Sequence, residues 1–120
     1  MALSHERELS AIAFHVLAAL EEYEEHVTTL VTCGWDADVY MKASDQFADL
    51  QLHCASLPKV QVPWVAVLIS RFEFVAALWD SRAAVRGQPR LRALHEQHCA
   101  SISELRQRCM REYTSRNALL

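Results

Sequence analysis

Glycine and proline are the scarcest punctuation in this chain, and where they stand limits the folds open to it. The 120 residues hold two glycines and three prolines, at Gly34, Pro58, Pro63, Gly87 and Pro89. Sheets closed by tight hairpins need Asn-Gly, Asp-Gly or similar turns at short intervals, and no such dipeptide occurs. The breaks instead divide the chain into four long pieces, which is the punctuation of an all-α, antiparallel four-helix bundle with short connections. With 52% hydrophobic and 22% charged residues, the chain has the apolar content to fill a core as a single domain over residues 1–120. That content also excludes the low-hydrophobicity, high-charge composition of a disordered segment.

Apolar residues at alternating steps of three and four mark an amphipathic helix. In the first piece Leu9, Ala13, Val16, Leu20, Tyr23, Val27 and Leu30 follow this rule, which predicts a helix over about residues 5–33 with Ser4 as N-cap and Gly34 just past its end. The second, about 36–57, opens on Asp36 and carries Tyr40, Ala43, Phe47, Leu50, Cys54 and Leu57, with Pro58 as the stop. The third, about 63–86, carries Val65, Leu68, Phe72, Val75, Trp79 and Ala83 up to a stop at Gly87. The fourth, about 89–116, carries Leu91, Leu94, His98, Ile102, Leu105 and Cys109.

These four seams do not use all the apolar residues. The third helix also has Val67, Phe74, Ala77 and Leu78 on the side opposite its seam, and the first adds Phe14, Leu17 and Ala18. A bundle of four helices cannot cover two faces of each, and surplus apolar surface of this kind marks an interface. The expectation is therefore a protein that acts by association, as a homodimer or on a partner protein's helix. Its interface is placed at Phe14, Leu17, Val67, Phe74 and Leu78.

Charge and motifs narrow the function classes further. The net charge is −3, divided as −7 over residues 1–60 and +4 over 61–120, which would attract the two halves to each other within one bundle or across an antiparallel pair. An acidic chain lacks the dense basic face of a nucleic-acid binder. The most apolar stretch, Val60 to Trp79, holds Arg71 and Glu73 near its middle, so no membrane span is expected. The acidic start, without a basic and apolar leader, points to a cytoplasmic protein, and the preference for arginine and alanine over lysine suits a bacterial genome. Cys33, Cys54, Cys99 and Cys109 form no Cys-x-x-Cys pair and read as reduced, packing thiols. No glycine-rich phosphate loop, nucleophile elbow or Ser-His-Asp order is present, so neither an enzyme nor a cofactor is expected.

Six histidines raise the question of metal. Helical spacing pairs Glu22 with His26, Asp49 with His53, and His95 with His98 followed by Cys99, each able to supply two ligands. His15 lies on the Glu22 flank, too far along it to join His26, and would need partners from another helix. The chain lacks the Glu-x-x-His of di-iron bundles and the His-Glu-x-x-His of zinc proteases, so no metal site is assigned. His95 and His98 come nearest, because His98 falls on a seam. The alternative for His98 is a core histidine bonded to a carbonyl or to the hydroxyl of Tyr40 or Tyr113.

The Gly34-Trp35-Asp36 junction and the Leu57-Pro58 break resemble, over roughly residues 16–80, the layout of flagellar export chaperones of the FliT type. In those proteins a long helix ends in glycine and Trp-Asp opens the next, with a residue between glycine and tryptophan that this chain lacks. That resemblance implies a binder of a partner's helix.

Overall fold

The computed structural model describes residues 2–82 and 89–118. Four helices make up the fold: α1 (Ala2–Thr32), α2 (Ala37–Cys54), α3 (Gln61–Asp80) and α4 (Pro89–Ala118), with a short 3-10 turn at Pro58–Val60 before α3. The all-α four-helix architecture expected from the sequence is the one observed. The bundle is a rod of 56 × 23 × 18 Å.

Helix ends follow local chemistry. α1 starts at Ala2, so Ser4, expected at the N-cap, lies within the helix. It stops where Gly34 turns left-handed, φ +95°, a conformation that costs glycine little and other residues more. Asp36 caps α2 as expected, its carboxylate accepting from the backbone N–H groups of Asp38 at 2.9 Å and Val39 at 3.2 Å. α2 ends at Cys54, three residues before the expected Leu57, because Leu57 must be extended ahead of Pro58. Gln61 Nε2 reaches back over this stop and donates to Cys54 O at 2.7 Å and Leu57 O at 2.9 Å, carbonyls that also accept the backbone N–H groups of Leu57 and Val60. α3 then begins at Gln61, with Pro63 in its first turn. It closes at Asp80, earlier than the expected 86; Ala83 and the Gly87 stop lie outside the described residues.

Side-chain pairings set the order and direction of the helices. His26 meets Gln46 while His15 meets Asp49, and Phe14 meets Tyr113 while Tyr23 meets His98. Ser70 meets His98 while Phe74 meets His95, and Tyr40 meets Trp79 while Phe47 meets Trp64. In each pair the numbers fall on one helix as they rise on the other, so sequence neighbours run in opposite directions and α4 closes against α1. α2 and α3 meet through large side chains. Phe47 stacks on Trp64 at 5.2 Å with the Arg71 guanidinium 4.2 Å from its centroid, and Trp35, Tyr40 and Trp79 form an aromatic group at the far end.

The seams read from sequence for α1, α2 and α4 are the core: Val16, Leu20, Leu50, Cys54, Ile102 and Leu105 are among its fully enclosed members. For α3 the structure reverses the assignment. Val67, Phe74 and Leu78, expected at an interface, are buried, and Phe74 has no exposed surface at all. Val65 and Phe72, expected in the core, face outward. Both faces are apolar, and the inner one is interrupted by Ser70 and Arg71, which made it the weaker seam to periodicity alone. Ser70 is inside because it hydrogen-bonds His98, while half-buried Arg71 lies over Phe47, its buried Nε without a hydrogen-bond partner. Of the other two interface candidates, Phe14 is exposed and Leu17 packs partly against the core.

Candidate functional site

Among the described residues, five of the nine large exposed apolar side chains lie on the outer face of α3. Val62, Val65, Ile69 and Phe72 are 83%, 48%, 59% and 80% exposed. Ala76 and the half-covered Trp79 continue the row. Spacing along it is three, four, three, four, three, the repeat by which one helix packs along another. At 100° per residue the row lies opposite the buried face of Trp64, Val67, Phe74 and Leu78. Arg108 and Arg111 of α4 border its Val62 end, in a groove of about 350 Å³. Exposed Glu73 and Asp80 border its second half.

Among the described residues one segment, Pro58–Asp80, is long and apolar enough to cross a membrane. A third of it is buried, with Trp64, Val67, Phe74 and Leu78 held inside the bundle.

Polar chemistry in the interior centres on His98. The ring is fully enclosed, with Nε2 at 2.8 Å from the Tyr23 hydroxyl and Nδ1 at 2.7 Å from Ser70 Oγ. Ser70 Oγ–H donates onward to the carbonyl of Val67 at 3.1 Å. That last bond fixes the direction of the rest: Tyr23 O–H donates to Nε2, and Nδ1–H donates to Ser70. Burial, helped by Arg71 and His95, pushes His98 down to about 3, so it stays neutral. Burial raises the Tyr23 hydroxyl above its ordinary value, with Arg71 pulling the other way. Both His98 nitrogens are thus engaged and neither is open to a metal. The core reading of this histidine is the observed one, with Tyr23 as partner in place of Tyr40 or Tyr113.

His95 does not join it. Its Nε2 lies 3.2 Å from Thr28 Oγ1 and 3.3 Å from Cys99 Sγ, and burial lowers its pKa against the opposing pull of Glu24 and Glu96. Cys99, half-buried, is pushed up to about 11 by burial and by Glu24. Among the described residues, metal-ligating side chains converge in a group of three only at His15, Asp49 and His53, with one ligand atom from each within 4.8 Å of the others. His15 Nε2 is 2.6 Å from Asp49 Oδ2, His53 Nδ1 is 3.3 Å from Asp49 Oδ1, and the two rings lie 4.0 Å apart. This group sits on the α1–α2 surface.

No protein-family model, curated protein or solved structure matches this chain.

Sequence reasoning identified Asp49 and His53 as a helical pair and noted that His15 needed a partner from another helix. It did not bring them together, because periodicity fixes the face of a residue but not the axial register between two helices. A usable signal was present all the same. The four-residue connection of 33–36 folds α2 back on α1, and counting outward from it sets positions near 15 opposite positions near 53.

Proposed function

We propose that this protein works by protein–protein association, as a homodimer in which the outer face of α3 packs against the same face of a second copy. The observation that carries this reading is the uninterrupted three-four row of Val62, Val65, Ile69 and Phe72, exposed although the core is filled without it. Large apolar side chains gain roughly 1.5–3 kcal/mol each when fully taken from water, so a row of four supplies a strong drive to pair. A two-fold axis across α3 would run the two copies of the helix in opposite directions. The Val62 end, where Arg108 and Arg111 stand beside Glu104, would then approach the partner's Glu73 and Asp80.

Light scattering on the purified chain tests this directly, and a mass near twice 13.7 kDa is expected. The double substitution Val65→Glu with Ile69→Glu should give a folded monomer, with the helical circular dichroism of the parent. A wild-type chain that stays monomeric up to about 100 μM would overturn the homodimer and leave the face to a partner's helix, the role implied by the export-chaperone layout.

A further inference from the structure

We infer that His15, Asp49 and His53 form a binding site for a divalent transition metal of zinc type, joining α1 to α2. This is independent of the α3 face. Two imidazoles and one carboxylate are a borderline-soft donor set, suited to zinc, cobalt or nickel and poorly suited to magnesium or calcium, which want oxygen. The three residues come from two helices, and their donor atoms already lie within 4.8 Å of one another. A metal at about 2.0–2.2 Å from each ligand needs neighbouring donors roughly 3–3.5 Å apart, so only small side-chain shifts are required, on a surface with room for them.

Three details favour a cation over a plain His–Asp pair. The carbonyl of Asp49 accepts from His53 Nδ1 at 2.8 Å. A carbonyl can only accept, so the proton sits on Nδ1 and the lone pair is left on Nε2, the backbone support that metal-binding histidines commonly have. Next, one carboxylate serves two rings 4.0 Å apart. One metal ion set among them satisfies all three groups. Finally, the adjoining groove of about 300 Å³ is lined by His15, Glu22, Asp45 and Asp49 with small residues and Gln46, and by no lysine or arginine. Its field draws cations. In the bound state the metal takes the place of the proton held between His15 and Asp49, and that proton leaves to solvent. With three protein ligands, the remaining position faces the groove and takes water or an incoming donor.

The test is titration of untagged protein with zinc chloride by calorimetry, beside cobalt(II) absorption spectra and thermal unfolding. Saturable uptake of about one metal per chain is expected, with cobalt bands of nitrogen and oxygen ligation. At zinc about 100-fold above its dissociation constant the unfolding midpoint should rise by about 10 °C. His15→Ala, His53→Ala and Asp49→Asn should each weaken binding at least tenfold, and the His15→Ala/His53→Ala double variant should abolish it. Since all three side chains are partly or largely exposed, metal-free variants should keep the parent's circular dichroism, which separates lost binding from lost folding. Absence of saturable uptake, uptake unchanged in the double variant, or a thiolate-to-cobalt charge-transfer band that disappears with Cys33→Ser would each overturn the site.

Discussion

His98 shows how one residue can tie three helices together and set how the fold responds to acid. It sits on α4, takes a hydrogen bond from Tyr23 of α1 and gives one to Ser70 of α3. Its pKa falls from 6.5 to about 3 in the folded chain, so the native state holds it neutral while the unfolded chain takes up a proton as the pH drops below about 6.5. The stability due to His98 is therefore fully present above that value and is lost progressively toward pH 3, by a few kcal/mol in all. Urea unfolding of wild type and His98→Leu between pH 7.5 and 4 should show a shallower decline in the variant. At pH 7 the variant should be weaker by about 2–5 kcal/mol, because two buried hydroxyls lose a partner. Adding Tyr23→Phe and Ser70→Ala to His98→Leu should recover part of that loss. If it deepens further, the loss in His98→Leu does not come from unpaired hydroxyls.

At the scale of the element, α3 carries two apolar faces with opposite duties, and single truncations separate them. Phe74→Ala opens a cavity in the core and should cost about 3–5 kcal/mol. Phe72→Ala, at 80% exposure, should change the stability of the isolated monomer by less than about 0.5 kcal/mol. Equal losses at the two positions would mean that the helix is rotated from the observed orientation. Gly34→Ala belongs at this scale too. No atom lies within 4 Å of the added methyl, so the left-handed backbone alone sets its cost, about 1 kcal/mol by chemical denaturation. The contrast on α3 also marks how much the sequence made legible. Helix number, the Asp36 cap, the Gly34 stop and three of four seams follow from spacing and capping chemistry. The inner face of α3 does not, because Ser70 and Arg71 look like surface residues until His98 and Phe47, 28 and 24 positions away, are known to receive them. His15 and Asp49, 34 positions apart, were hidden for the same reason: contact across helices depends on register, which no single helix encodes.

For the molecule as a whole, the question is whether the rod opens as one unit or in parts. Charge does little to hold it: the acidic first half and basic second half do meet, as in Arg106 and Glu24 at 3.1 Å, but both side chains are about one-third exposed, and such pairs contribute under about 1 kcal/mol. Packing must supply the rest, and two buried thiols report on it. Cys54 closes α2 and Cys109 lies far along α4. Both are fully enclosed, and burial pushes both up to about 12, with the two thiols close enough for Cys109 to act on Cys54. Neither can react with a disulfide reagent until its helix leaves the core and the thiol regains its ordinary acidity. Cys33 is exposed and serves as the internal standard, reacting at once. If the four helices form one cooperative unit, Cys54 and Cys109 should react with the same opening free energy, at least about 1,000-fold slower than Cys33. That energy should match the stability from urea unfolding. Separate variants retaining Cys33 with only one of the two buried thiols make the comparison clean. A lower opening energy for Cys54 than for Cys109 would show that α2 detaches on its own. It would follow from the way α2 meets α3, through a layer of aromatic side chains between the two backbones.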